Sequence, residues 1–212
     1  APAGKAESEM RFEDYVEDAV LWGKMFQNDP RFRSITILGH SEGSLIGMMA
    51  AKRIAANKFV SIAGPGVPAG VLIRNQLKEQ PPTVLEQALP ILEQLEEGNV
   101  VTEIPQVLFP LFRPSVQPYM ISWFRYDPKE ELSKLECPVL IVQGNADLQV
   151  SVSDAHKLSI ANPQTQKKII EGMNHVLKTT GANRMENLAA YTNPDLPLVP
   201  SLIPTLAAFI NK

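Results

Sequence analysis

Between two stretches of apolar residues the chain carries Gly39-His40-Ser41-Glu42-Gly43, and what surrounds that pentapeptide constrains the fold more than any other feature. Ser34-Ile35-Thr36-Ile37-Leu38-Gly39 is a β-branched, apolar run that reads as a buried strand, and Leu45 to Ala56 is rich in Ala, Met and Ile and reads as a helix. Phe59 to Gly64 is a second strand, closed by Gly64-Pro65-Gly66. Pro138 to Gly144 is the strongest strand, and Gln166 to Ile170 another. Upstream, Met10, Phe12, Tyr15, Val16, Ala19, Val20 and Met25 recur at helical spacing as far as Asn28-Asp29-Pro30, and Ile203 to Ile210 reads as a last short helix. Strands that alternate with helices imply an α/β fold, a mostly parallel sheet flanked by helices.

From Val67 to about Ser133 the texture changes. No strand-like run occurs, prolines are frequent, and apolar residues return at steps of three and four, most clearly Leu85, Leu89, Leu92 and Leu95. The expected organisation is a core built from 1–66 and 134–212, interrupted by a helical insertion at 67–133 that packs on the core and can cover a pocket. Lys and Arg total 20 against 23 Asp and Glu, without a basic cluster, so the electrostatic footprint of a nucleic-acid binder is missing. Runs such as Val107 to Phe112 are too short to cross a bilayer, so no transmembrane segment is expected. The single cysteine, Cys137, excludes an internal disulfide and a cysteine-only metal cage.

The pentapeptide matches G-x-S-x-G, and its strand-before, helix-after context is where a nucleophile elbow makes physical sense. Such a turn holds the serine in a strained conformation with its Oγ above the sheet. Gly39 and Gly43 are expected there because a Cβ would strike neighbouring backbone. The Glu42 N–H, at the helix N-terminus, would point at an oxyanion formed when Ser41 attacks a carbonyl. A serine also needs a base, oriented by a carboxylate. Of the three histidines, His40 adjoins Ser41 and cannot fold back onto its Oγ, so it reads as a packing or pocket-wall residue. His156 falls in a helix start and reads as a surface residue. His175, in Glu171-Gly172-Met173-Asn174-His175, follows a strand and can reach the carboxyl edge of the sheet. Asp147, in Gly144-Asn145-Ala146-Asp147, leaves the strongest strand at the same edge. Its competitor Asp154 stands where a helix N-cap is expected.

The order Ser41, Asp147, His175 together with GHSEG, PVLIVQGNAD and EGMNH resembles the α/β-hydrolase superfamily, in particular its bacterial esterases grouped with serine aminopeptidase-like and monoacylglycerol lipase-like hydrolases. The likeness runs from Phe12 onward. It implies Ser41 as nucleophile, Asp147 as acid and His175 as base, 67–133 as a cap that shapes the pocket, and a small-molecule carboxylic ester as substrate, with neither metal nor organic cofactor. Members of that superfamily carry about four strands ahead of the nucleophile strand and a second oxyanion donor in one of their loops. Residues 1–33 offer one helix and no strand, so the strand at 34–39 is expected to be a bare edge, covered by a separate N-terminal segment or a partner chain. Thioesterases, acyltransferases and small-peptide hydrolases share this scaffold and its triad. Two further readings are a catalytically silent binding or assembly module, and a lipase whose Leu108, Phe109, Leu111, Phe112, Trp123 and Phe124 open onto lipid. Glu42 is expected to cap its helix, the alternative being a pocket biased against anionic substrates.

Overall fold

The computed structural model describes residues 4–181 and 183–212, and they build a four-stranded sheet, all parallel, in the spatial order of the sequence. The strand and helix order is α1 (Phe12–Gln27), β1 (Thr36–His40), α2 (Glu42–Arg53), β2 (Lys58–Ile62), α3 (Ala69–Leu77), α4 (Pro82–Glu96), α5 (Phe109–Phe112), α6 (Gln117–Trp123), α7 (Pro128–Ser133), β3 (Val139–Gly144), α8 (Val152–Ala161), β4 (Thr165–Ile170), α9 (Arg184–Ala189) and α10 (Leu202–Ile210). Side chains two apart share a face of a strand, and the two faces bury different neighbours. Phe59, Val139 and Ile141 pack with Phe12, Val16, Val20, Met48 and Leu158 from α1, α2 and α8. Val60, Ile62, Leu140 and Val142 pack with Leu202, Leu206 and Phe209 of α10. Register sets Ile37 beside Phe59, and Val60 beside Leu140.

Residues 67–133 contain α3 to α7 and no strand, and α3 to α6 enclose an apolar cluster of their own around Ile73, Leu92, Leu95 and Phe112. The buried stripe of α4 is Ala88, Ile91, Leu92 and Leu95, while Leu85 and Leu89 sit half-buried at its rim. The stripe is rotated from the leucine pattern because Ala88 and Ile91, which lie outside that pattern, face inward. The ends of elements also move: α2 begins at Glu42 rather than Leu45, directly at the turn, and β1 runs through His40. With the order β1-β2-β3-β4, β1 is a sheet edge among the described residues, and Leu38 on it is 44% exposed. Beside it α1 presents Leu21, Trp22, Met25 and Phe26 outward, with Phe32 edge-on to Phe26. No helix of the described residues is long and apolar enough to cross a membrane.

Candidate active site

β1 ends on the tight turn to α2, and Ser41 stands at that corner with φ 55° and ψ −126°. A non-glycine residue pays roughly 1–3 kcal/mol to hold such a conformation, and the surroundings impose it: a Cβ on Gly39 would lie 2.1 Å from the Gly43 carbonyl oxygen. Gly43 differs from expectation. A Cβ there meets nothing within 4 Å, because it already lies inside the first turn of α2 and faces away from β1. The Glu42 N–H is the first of α2 and has no acceptor within its helix.

The two other expected residues arrive from the opposite side of the sheet. Asp147 sits in the turn after β3 and His175 in the loop after β4, where β3 and β4 run side by side. His175 Nδ1–H donates to Asp147 Oδ2 at 2.9 Å, and His175 Nε2 is 3.1 Å from Ser41 Oγ. With its proton on the acid side, the neutral imidazole turns a lone pair toward the serine. Both side chains are shielded, 6% exposed for His175 and 1% for Asp147. Asp147 Oδ1 also accepts from the N–H groups of Gln149 at 2.8 Å and Val150 at 2.9 Å, and Oδ2 from Gln143 Nε2 at 3.1 Å.

Several supporting residues were not singled out in the sequence. Gln143 is a wholly buried amide at the end of apolar β3, and it ties Asp147 to the Val150 carbonyl at 2.9 Å. One polar residue closing a run of Val-Leu-Ile-Val was the available signal. Asn174 closes the histidine loop by accepting from the Lys178 N–H at 2.9 Å, and it donates to Asn187, which in turn donates to the Ala146 carbonyl at 2.6 Å. The acid loop, the base loop and α9 are therefore one hydrogen-bonded unit. His40 does more than line a wall: its Nε2–H donates to the His175 carbonyl at 2.8 Å, the two rings lie 4.9 Å apart, and burial holds its imidazole below the usual histidine range.

Other expectations shift. Asp154 is the third residue of α8, not its N-cap. Ser151 caps the helix, and Asp154 accepts from Ser151 and from the Gly66 N–H at 3.1 Å, so its oxygens are engaged away from His175. His156 is exposed beside Lys167. Glu42 makes no helix-capping bond; its carboxyl accepts from the Tyr119 hydroxyl of α6 instead, and burial raises it above the ordinary carboxylate range. The α6 partner lies 77 residues away in sequence, so local pattern could not reveal it. A cavity of about 500 Å³ adjoins the acid loop and reaches Asp147 but neither Ser41 nor His175. Among the described residues no group of His, Cys, Asp and Glu is arranged to hold a metal ion.

No protein-family model matches the chain. The chain is 30% identical to Esterase EstD of Thermotoga maritima over 145 residues, which cover 66% of this chain and 34% of that protein, so the match spans about a third of the relative's length. Among solved structures, Est1E from Butyrivibrio proteoclasticus superposes with a TM-score of 0.58 at 15% identity, covering 96% of this chain and 72% of that one. A hydrolase from Oleispira antarctica gives 0.53 at 17% identity, with coverage of 97% and 73%. At such identities the structures bear on the fold, which is the parallel sheet and strand-turn-helix described above. The fold is that of the α/β-hydrolases, and over part of its length the sequence is similar to that of an esterase.

Proposed function

We propose that the chain hydrolyses carboxylic esters through an acyl-enzyme, with Ser41 as nucleophile, His175 as base and Asp147 as the acid that orients it. The observation that carries this reading is the unbroken run of hydrogen bonds from Ser41 through His175 to Asp147. As Ser41 Oγ bonds to the ester carbonyl carbon, its proton passes to His175 Nε2, and the negative charge that grows on the carbonyl oxygen is met by the Glu42 N–H. Collapse breaks the ester C–O bond, His175 gives the proton to the departing alcohol, and the acyl group stays on Ser41. Water then attacks the acyl carbon, its proton goes to His175 and on to Ser41 Oγ, and the carboxylic acid leaves. Asp147 keeps the Nδ1 proton in place and offsets the imidazolium charge without taking that proton. These steps need neither metal nor organic cofactor. The likeness to an esterase supports esters over thioesters, acyl transfer or peptides on the same scaffold.

Residues 67–133, with their own apolar cluster, act as a cap on a core formed by 1–66 and 134–212. The free edge of β1 and the exposed apolar side chains beside it support a further part of the reading. A strand from a preceding segment or a partner chain pairs with β1 and brings the second oxyanion donor. One such donor is worth about 10²–10³ in rate. A protein that carries such a strand should gain that factor over residues 1–212 alone, and equal rates would overturn this part. The central test is labelling by a fluorophosphonate: the protein should be labelled at Ser41, and Ser41→Ala should lose both labelling and at least about 10³-fold in kcat on a nitrophenyl ester. Unlabelled but folded protein would leave the assembly-module reading, which the open edge favours.

A further inference from the structure

The Glu42 side chain has no part in the chemistry above, yet it is the least conventional group near Ser41. A carboxyl withdrawn from water is normally paired with a cation. Glu42 is not: among the described residues its one hydrogen bond comes from the Tyr119 hydroxyl to Oε1, and it joins no salt bridge. Among the described residues Oε2 has no hydrogen-bond partner, and it is not sealed off, because Glu42 forms part of the wall of a cavity of about 320 Å³ between α1, α2 and α6. The rest of that wall is Met10, Tyr15, Ile46, Val116 and Tyr119, with Glu7 at the rim. The Glu7 carboxylate is already engaged by Arg113 and Ser115, so Glu42 is the uncommitted acid.

The aromatic walls point the same way. Tyr15 and Tyr119 meet edge to face, 5.7 Å between centroids at 86°, so two rings and one carboxyl border a single space. The Tyr15 hydroxyl has no hydrogen-bond partner among the described residues. Ring faces attract cations through their quadrupole, and a carboxylate adds full charge, so the set suits an organic ammonium group. A plain alkyl group would leave Oε2 dry and unpaired, and an anion would be repelled. Ser41 and His175 are not part of that wall, but Glu42 follows the nucleophile directly, about 3.8 Å from Cα to Cα, which sets this wall next to Ser41 along the chain.

We propose that this cavity is the subsite for an ammonium group carried by the ester substrate, held by the Glu42 carboxyl against the corner of Tyr15 and Tyr119. The proposal names a substrate class for the ester-hydrolase reading and rests on it. The test compares nitrophenyl esters of equal length ending in trimethylammonium, methyl, hydroxyl or carboxylate. The trimethylammonium ester should exceed the methyl ester by about tenfold or more in kcat/KM and the carboxylate ester should be poorest, a contrast worth about 1.4 kcal/mol or more. In Glu42→Gln the ratio of the trimethylammonium to the methyl ester should fall to near one, and in Tyr15→Leu it should fall by about threefold. Equal rates for these two esters, a hydroxyl ester preferred over the ammonium, or a ratio that survives Glu42→Gln would each overturn the proposal. Calorimetry with benzyltrimethylammonium, which needs no turnover, separates this failure from failure of the hydrolase reading. Saturable binding that weakens about tenfold in Glu42→Gln supports the subsite even if Ser41 resists labelling, and no binding to the folded wild type overturns it.

Discussion

The two sides of the candidate active site are built to different standards. Toward β4, the acid and base loops are cross-linked: Asp147 is gripped by two backbone N–H groups and by Gln143, and Asn174 and Asn187 join the histidine loop to the acid loop. Toward β1, the serine strand has, among the described residues, a paired neighbour on one side only, and apolar side chains of α1 and β1 face outward. His175 and Asp147 are held by interactions between neighbouring loops, whereas Ser41 is held by a strained backbone and by the close approach of Gly39 to Gly43. Pre-organisation is therefore concentrated at the His175–Asp147 pair, where the proposed mechanism delivers the proton.

The largest test of that contrast is Asp147→Asn, which keeps the shape but favours the wrong imidazole tautomer; kcat on a nitrophenyl ester should drop by about 10³–10⁴, with the melting temperature moved far less than the rate. A drop under tenfold would remove Asp147 from its role. Next, Asn174→Ala leaves buried partners unsatisfied in the well-tied half, and should cost about 1–3 kcal/mol in urea unfolding. A comparable loss from cutting an exposed contact of β1 would erase the difference between the two sides.

His40 bridges them, since it lies on the serine strand and holds the carbonyl of the base. In the proposed mechanism it is a positioning residue, and His40→Phe should lower kcat by about tenfold or less with KM little changed. The same variant reports on pH. Burial lowers the folded-state pKa of His40, so the unfolded chain binds its proton first as the medium is acidified. The stability contributed by a neutral His40 is present above the ordinary histidine value near pH 6.5 and is lost as pH falls through the depressed folded value. Unfolding measured from pH 7.5 down to pH 5 should show a shallower decline in His40→Phe than in the wild type; an equal slope would show that His40 titrates normally. Smallest of all, Leu38→Lys should change stability by no more than about 0.5 kcal/mol. It should nonetheless reduce self-association seen by sedimentation, because a lysine on an edge strand resists pairing with another chain.

The chain's own letters carried much of this and missed a definite part. Alternating strand and helix signals were legible because buried parallel strands need continuous apolar runs, as at Val139 to Val142. Ser41, Asp147 and His175 could be chosen because a parallel sheet brings the loops after its strands to one edge, and their side chains do meet there. What stayed hidden are contacts between residues far apart in sequence. Tyr119 takes Glu42 away from the helix cap that its position suggests, and Asn187 acquires its role only once α9 packs beside the acid loop. Gly43 shows the reverse error, a motif position credited with a steric duty that the backbone does not demand. Asp154 was credited with the cap that Ser151 supplies, because both residue types serve at helix starts and only the packing of Gly66 separates them.

The bond from Asn187 to Ala146 has one more consequence. Because it fastens imidazole and carboxylate to a common frame, warming should displace the two together and leave the distance between them nearly constant. The gap that opens first is the one between hydroxyl and ring, so heat would silence catalysis by intermittently stranding the alcohol well before the protein unravels.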